Sequence, residues 1–125
     1  MKKLFFLPLL LITCFCLAQN AKSIIGKPIQ IGNLLVAQND FPEELNWEDA
    51  NKACRALGNG WRLPTKYELN ILFENMDKIG GGGEFSYWSS AQYDRSYSWR
   101  QDFIYGRQFK YLKNSKCNVR AVRFL

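Results

Sequence analysis

The chain has 125 residues, a formal net charge of +6, four cysteines and no histidine. The lack of histidine removes the commonest general base and metal ligand, and with it the Ser-His-Asp and Cys-His arrangements of nucleophilic catalysis. Charges of both signs are interspersed, whereas a nucleic-acid-binding protein would carry a clustered basic face. We therefore expect one small domain that binds no nucleic acid and is not an enzyme.

Residues 1–18 have the three parts of a cleavable secretory signal peptide. Lys2 and Lys3 supply the positive start, an almost wholly apolar run follows, and Ala18 is a small residue at the expected cleavage site. The apolar run has about 14 residues, fewer than the ~20 that span a bilayer, so we predict no transmembrane span in the mature protein. Residues 19–125 are then a single exported domain, secreted, periplasmic or in the cell envelope. Its formal charge is +4, because two lysines are lost from +6.

The four cysteines divide between the two parts of the chain. Cys14 and Cys16 end the apolar run, where a lipidated cysteine would lie; neither follows the small residue that lipidation requires, so a lipid anchor is the alternative. Cys54 and Cys117 remain after cleavage, in a compartment that permits disulfides. A bridge between them would contribute about 4 kcal/mol in the chain-entropy model. We predict this disulfide, with two buried free thiols as the alternative.

The first part of the mature chain has an extended pattern. Residues 23–38 contain seven isoleucines, leucines and valines interrupted by glycines and a proline, which is typical of one or two short strands. We place a turn at Gly32 and Asn33. A polar loop is predicted over residues 39–46.

Two amphipathic helices are predicted next. In the first, Asn46 is the expected N-cap, apolar residues recur on one face, and Gly58 follows the last turn. The second begins at a capping box made by Thr65 and Glu68, and the glycines of residues 80–83 should prevent its continuation. The predicted buried face of the second helix consists of Leu69, Leu72, Phe73 and Met76.

The last third of the chain is predicted to form strands. Alternate residues from Tyr97 to Tyr105 should lie on one face of a half-buried strand, and Gly106 should make a tight hairpin to the next. The order of elements predicts an α+β domain, in which two helices pack on a twisted antiparallel sheet. The predicted strands are residues 85–91, 97–105, 108–112 and 118–124.

The segment between the first two of these strands is the candidate binding surface. Aromatic and arginine side chains that cluster near each other are typical of interfaces, although most rings of so small a sheet are expected in its core. Residues 92–97 join two strands, are polar overall, and expose tyrosine beside arginine and aspartate. The predicted ligand-binding residues are Tyr93, Asp94, Arg95, Tyr97, Trp99 and Arg100.

Other candidate chemistry is weak. Two distant cysteines are not a zinc site, and the tetraglycine lacks the Lys-Ser/Thr that follows in a phosphate-binding loop. The acidic cluster of Asp40, Glu43 and Glu44 lacks the spacing of an EF-hand and is interpreted as a solvated loop. We predict no catalytic residues, no metal and no cofactor.

Four segments in a fixed order carry a resemblance to a known family. They are Asn46-Trp47-Glu48-Asp49-Ala50 followed by Cys54, then Gly60-Trp61-Arg62-Leu63-Pro64-Thr65-Lys66-Tyr67-Glu68-Leu69, then Tyr87-Trp88-Ser89-Ser90, and Val119-Arg120-Ala121-Val122-Arg123. Over about residues 30–124 the chain resembles the bacterial Lcl C-terminal domain family, a domain of unknown function from a collagen-like adhesin. It is also similar to the major paralogous domain of Fibrobacter succinogenes.

The resemblance implies a C-type-lectin-like fold, related to that of the formylglycine-generating enzymes. In that fold a bridge between Cys54 and Cys117 is geometrically reasonable. The Glu-Pro-Asn or Gln-Pro-Asp triplet and the Trp-Asn-Asp triplet of calcium-dependent lectins do not occur, which puts calcium-dependent sugar binding in doubt. The residues expected to be structural rather than ligand-binding are Trp47, Trp61, Arg62, Leu63, Pro64, Thr65, Glu68, Trp88 and Arg120.

These observations together predict a non-enzymatic binding or adhesion module whose partner is an extracellular glycan or protein. The alternative is a small structural, envelope-associated protein without a ligand of its own. A more distant alternative is an enzyme related to the formylglycine-generating enzymes, for which the sequence offers no reactive cysteine pair.

Overall fold

The computed structural model describes residues 20–81 and 85–125 of the chain. The predicted signal peptide, with Cys14 and Cys16, lies outside these ranges, as do two of the four consecutive glycines. No helix in the described part of the chain is long and apolar enough to cross a membrane.

The described residues contain helices and two small antiparallel sheets, which confirms the α+β class. The sheets have the strand orders β1-β2-β6 and β3-β4-β5. The elements are α1 (residues 20–25), β1 (Ile29–Ile31), β2 (Leu34–Val36), α2 (Trp47–Ala56), α3 (Lys66–Glu74), α4 (Met76–Ile79), β3 (Ser86–Gln92), β4 (Tyr97–Asp102), β5 (Gln108–Leu112) and β6 (Val122–Phe124).

Local capping sets where the two long helices begin, as the sequence predicts. The side chain of Asn46 accepts a hydrogen bond from the backbone N–H of Asp49 at the start of α2. Thr65 and Glu68 form the reciprocal capping box of α3, with each side chain accepting from the backbone of the other residue. The turn predicted at Gly32 and Asn33 separates β1 from β2 and is also confirmed.

The prediction of extended structure is wrong for residues 23–25, which belong to α1. Three carbonyl groups at the end of α1 accept hydrogen bonds from distant residues: Ser23 and Ile24 from Asn39, and Ile25 from Gln38. Ile24 and Ile25 also pack against a buried cluster. These contacts outweigh the preference of isoleucine for strands, which is itself largely a packing preference.

The second predicted helix ends earlier than expected. The backbone leaves helical geometry at Asn75, where φ is −118°, so Met76 begins the separate short helix α4 instead of extending α3. The Asn75 side chain donates to the carbonyl of Ile71, a bond that competes with the helix ladder. Leu69 and Leu72 are buried as predicted, whereas Phe73 and Met76 are half-buried.

Two predicted strands are also too long. β4 ends at Asp102, and residues 103–105 form a turn because the Asp102 carboxylate accepts the backbone N–H groups of Ile104 and Tyr105. Tyr105 therefore leaves the predicted alternation and is 72% exposed. The last strand begins at Val122 instead of residue 118, and residues 117 and 118 make only isolated bridges.

The two faces of the β3-β4-β5 sheet adjoin two different buried clusters. Tyr87 pairs with Gln101 and belongs to a cluster with Leu69, Leu72 and Phe103, beneath α3. Trp88 is the next residue in β3, so its side chain points to the opposite face and into a cluster with residues such as Trp61, Leu63 and Val119. The sheet is thus a central layer with apolar packing on both sides.

Cys54 and Cys117 are free thiols in the structure, so the predicted disulfide is not formed there. Both side chains are buried in the cluster that surrounds Trp88. Burial raises the pKa of each thiol to about 12. Because the thiolate is the reactive form, burial lowers the reactivity of both cysteines.

Candidate functional site

Strand β4 carries three of the predicted ligand-binding residues, and its alternation divides them between two faces. Trp99 pairs with Lys110 of β5, whereas Arg100 pairs with Phe109. Since directly paired residues point to the same side of a sheet, Tyr97, Trp99 and Lys110 share one face and Arg100 lies on the other.

We call the first of these surfaces the aromatic patch and define it as Tyr93, Tyr97, Trp99, Lys66 and Lys110. The Tyr93 and Trp99 rings meet edge to face, with centroids 5.8 Å apart. Lys66 Nζ lies 3.7 Å from the centroid of the Trp99 ring. Lys110 Nζ lies 4.3 Å from the Tyr93 centroid and 5.4 Å from that of Tyr97. Each ring is therefore within reach of an ammonium group.

Helix α3 determines where the patch is exposed. At the far end of the same face, Gln101 donates to the side chain of Asn70 in α3, and Gln108 donates to the Lys66 carbonyl. The helix covers that end and begins at Lys66, so the rings of Tyr97 and Trp99 lie beyond its first turn and are only half-buried. The capping box that starts α3 thus also fixes one edge of the patch.

Neither patch lysine has an acidic partner in the part of the chain that the structure describes. Among the described residues, no carboxylate lies within ion-pair distance of either ammonium group. A cation over an aromatic ring gains only about 0.5–1 kcal/mol at an exposed site, so each lysine can leave its ring for an anionic group. The patch therefore offers aromatic surface and positive charge to the same ligand.

Asp94 and Arg95 do not join the patch. One oxygen of the Asp94 carboxylate accepts from the backbone N–H groups of Ser96 and Tyr97 at 2.8 and 2.9 Å, so this side chain shapes the turn between β3 and β4. Arg95 borders a polar groove of about 270 Å³ together with Glu48 and Lys113.

Arg100 lies on the opposite face from the aromatic patch. Its Nη1 donates to the Ser86 hydroxyl at 2.7 Å, and its guanidinium carbon lies 3.9 Å from the centroid of the Tyr111 ring. Arg100 therefore does not share one surface with Tyr97 and Trp99, because neighbouring residues of a strand point to opposite sides; whether it binds a ligand stays a prediction.

Sequence reasoning missed both lysines of the patch. The partner of Trp99 could have been found only with the register of the β4–β5 hairpin, which depends on the length of the turn at Gly106. In the sequence, Lys66 stands out only as a neighbour of the capping box. Its position over Trp99 depends on how α3 packs on the sheet.

Arg120 is a buried centre of hydrogen bonding, with 3% of its surface exposed. It donates to backbone carbonyl groups on two segments, after β2 and at the end of α4. It also pairs with Asp40 at 3.0 Å. Burial raises the pKa of Asp40, although hydrogen bonding from Tyr87 and the charge of Arg120 oppose that change. The role of Arg120 is to join these segments.

Arg62 and Glu68 form a second, partly buried ion pair. Two guanidinium nitrogens of Arg62 donate to the two carboxylate oxygens of Glu68, at 2.6 and 2.9 Å. Arg62 also donates to the carbonyl of Leu63. Burial alone would raise the pKa of Glu68, but hydrogen bonds from Arg62 and Thr65 outweigh it, so that pKa is lowered.

The other residues expected to be structural lie in or beside the core. Trp61, Leu63, Pro64 and Trp88 are buried. The indole of Trp88 donates to the Leu45 carbonyl, so its polar edge is satisfied within the core. Trp47 is half-buried, and its indole donates to the carbonyl of Ser89.

A larger cavity lies between α1, residues 39–42 and the end of α2. Its volume is about 520 Å³, and Ile24, Phe41 and Leu57 contribute to its mainly apolar lining. Within the described ranges, no group of three or more histidine, cysteine, aspartate or glutamate side chains could hold a metal ion.

Solved structures with the same arrangement of elements identify a C-type-lectin-like fold. Botrocetin is 11% identical to the chain, with a TM-score of 0.59, over 80% of this chain and 98% of botrocetin. A complex of botrocetin with a mutant A1 domain of von Willebrand factor gives 10% identity and a TM-score of 0.59, over the same shares of the two chains.

The sequence family agrees with the fold. The model of the Lcl C-terminal domain matches residues 21–123, so the chain belongs to the Lcl C-terminal domain family. No curated protein matches the chain. The similarity to the Fibrobacter succinogenes domain stays a prediction.

Proposed function

We propose that the chain is a secreted or cell-envelope binding or adhesion module, is not an enzyme, and uses the aromatic patch to bind a glycan or a protein. One observation carries this proposal. Three aromatic side chains and two lysines without acidic partners in the described part of the chain are gathered at the open end of one sheet face.

The chemistry of the patch suits a ligand with both apolar faces and polar groups. Tyrosine and tryptophan contribute large, rigid contact surfaces at a small cost in side-chain entropy. Lys66 and Lys110 can move from the rings to acidic or hydroxyl groups because the lysine side chain is long and flexible. Sugar rings and protein side chains both present such surfaces.

The structural relatives support a binding role. Botrocetin forms a complex with the A1 domain of von Willebrand factor, so a chain of this fold takes part in protein recognition. An enzyme related to the formylglycine-generating enzymes would need reactive thiols. Burial raises the pKa of both Cys54 and Cys117 to about 12, which suppresses thiolate chemistry.

A glycan array probed beside cell-envelope fractions tests the proposal. The test variant combines Tyr97→Ala with Trp99→Ala, and the matched control is Tyr67→Ala, which removes an exposed ring from α3. We expect the double variant to lose at least roughly tenfold in affinity, while the control binds like the parent.

Two outcomes would contradict this assignment. If the parent protein binds neither glycans nor envelope proteins, the alternative of a structural envelope-associated protein without a ligand is favoured. If a correctly folded double variant binds as well as the parent, the protein is still a binding module, but the aromatic patch is not its binding surface.

The lysines are tested separately by combining Lys66→Gln with Lys110→Gln. If the ligand is acidic, this variant should bind less tightly, and the affinity of the parent should fall as salt is added. Equal binding by parent and variant at all salt concentrations would indicate a neutral ligand that contacts only the rings.

A further inference from the structure

The turn between β4 and β5 carries an exposed apolar surface at the other end of the hairpin from the aromatic patch. We call it the hairpin tip and define it as residues 103–107 with Phe109. Ile104 is 53% exposed, Tyr105 is 72% exposed and Phe109 is 41% exposed. Three large side chains thus face solvent near one turn of the chain.

The tip is held rigidly on the domain. Phe103, at its base, is buried and packs against Tyr87 with ring centroids 4.6 Å apart. Gly106 has a φ of +75°, and a Cβ there would lie 2.5 Å from the Phe73 ring, so the turn rests directly on α3. A rigid apolar tip loses little conformational entropy when it binds.

The backbone donors of the tip are already used within the protein. The Asp102 carboxylate accepts the N–H groups of Ile104, Tyr105 and Arg107, and the Asp102 carbonyl accepts that of Gly106. Phe103 donates its N–H to the Phe85 carbonyl. The tip can therefore leave water without leaving a backbone N–H unpaired, and each unpaired backbone polar group would cost free energy in an apolar medium.

Among the described residues, Arg107 and Asp102 balance each other's charge at the turn. Arg107 lies 3.6 Å from the Asp102 carboxylate, and its guanidinium carbon lies 4.9 Å from the Tyr105 ring centroid and 5.6 Å from that of Phe109. The predicted mature chain is basic, with a formal net charge of +4 once the two signal-peptide lysines are taken from +6. An anionic surface would attract the whole molecule without repelling the tip.

We propose that the hairpin tip docks on the surface of an anionic phospholipid bilayer, with Ile104 and Tyr105 entering the headgroup region. Tyrosine favours this region because its ring is apolar and its hydroxyl stays hydrated. A protein partner that accepts hydrogen bonds from the turn would find three of its backbone N–H donors already used by Asp102. A lipid surface requires none.

This docking would orient the aromatic patch away from the bilayer. Tyr97 begins β4 and Asp102 ends it, so the patch and the tip lie at opposite ends of a six-residue strand. At about 3.3 Å per residue, the two are separated by roughly 17 Å along the strand. The proposal concerns a second surface and does not depend on what the patch binds.

Flotation of the purified protein with lipid vesicles tests the proposal. One set of vesicles contains phosphatidylglycerol and phosphatidylcholine, and the other contains phosphatidylcholine alone. We expect the protein to float with the anionic vesicles, and added salt should weaken the association. Combining Ile104→Ser with Tyr105→Ser should lower the vesicle partition coefficient by about tenfold, whereas Tyr67→Ser, on another surface, should leave it unchanged.

A direct spectroscopic measurement covers the case in which the double variant folds poorly. In Tyr105→Trp, the emission of the introduced indole should shift to shorter wavelength with anionic vesicles and be quenched by lipids with brominated acyl chains. No flotation of the parent, equal flotation of a folded double variant, or no quenching would overturn the proposal. Self-association of the parent that the double variant abolishes, without vesicle binding, would overturn it in favour of a second copy of the chain as the partner of the tip.

Discussion

The two ends of the β4–β5 hairpin expose aromatic side chains in opposite ways. At the aromatic patch, Lys66 and Lys110 lie on the rings and have no acidic partner in the described part of the chain. At the hairpin tip, Arg107 lies on the rings and is neutralised by Asp102. Exposed rings alone therefore do not define a site. Their charged neighbours decide whether a polar ligand or an apolar surface is the better partner.

The largest loss of stability is expected when Arg120 is replaced, because this residue is buried and joins several segments of the chain. Replacing it with methionine removes the cation that pairs with Asp40 and leaves three backbone carbonyl groups without the Arg120 donor. We expect a loss of about 3–5 kcal/mol in the free energy of unfolding, measured by denaturant titration. Arg55→Met, at an exposed position of α2, is the control. Equal stability of the two variants would contradict the central role of Arg120.

The next largest loss of stability is expected from a change at Asp102, and its structural effect should be confined to the hairpin tip. Asp102→Ala removes the acceptor of three backbone N–H groups, and we expect a loss of about 1–2 kcal/mol in the free energy of unfolding. Hydrogen exchange should accelerate at the amides of Ile104 and Tyr105 but not in α3. Asp102→Asn keeps one side-chain oxygen and should be milder. Faster exchange across the whole sheet would show that the two ends are coupled.

Glu68, at the start of α3 beside the patch, should make stability depend on pH. Its pKa is lowered on folding, so its contribution is fully present above its ordinary pKa of 4.5 and is lost as the pH falls through the lowered value. Glu68→Gln should be less stable than the parent at neutral pH, by about 1–2 kcal/mol. The difference should shrink in acid. A constant difference at all pH values would exclude the ion pair with Arg62 as its source.

Removing a cation–ring contact at either end of the hairpin should lower the stability by a smaller amount. Lys110→Ala and Arg107→Ala should each lower the free energy of unfolding by about 0.5–1 kcal/mol, because the contacts are exposed. Of the two, only Lys110→Ala should weaken ligand binding at the patch. Loss of ligand binding in Arg107→Ala would mean that the two ends act as one surface.

The two thiols buried behind the patch can be tested without substituting any residue. Cys54 and Cys117 should resist alkylation in the native protein, since burial raises both thiol pKa values to about 12, and should react after denaturation. Mass measurement of the purified protein with and without reductant checks the disulfide predicted from the sequence. A gain of two hydrogens on reduction would show that the bridge forms.

Several parts of the fold could be predicted because they depend on neighbouring residues. Asn46 caps α2 through the N–H of Asp49, three residues away, and Thr65 and Glu68 are equally close. The range of β5 also agrees with the prediction, since turn residues bound it on both sides. The C-type-lectin-like fold followed from ordered landmarks rather than from any single element.

The candidate site was only partly predictable. Tyr93, Tyr97 and Trp99 do come together, but Arg100 lies behind the sheet and Asp94 is used in the turn. A polar, aromatic stretch of sequence shows which residues are near one another along the chain. It does not show which side of a sheet each one occupies, because that depends on register.

The helix starts, the main turns, the absence of histidine chemistry and the family of the domain all follow from the order of the amino acids. The helical state of residues 20–25, the position of Lys66 over Trp99 and the closure of the hairpin tip by Asp102 emerge only in the folded molecule. The physical reason is the range of the interactions. Caps and tight turns are stabilised by hydrogen bonds over a few residues, whereas the patch and the buried Arg120 depend on segments that meet only when the chain is folded.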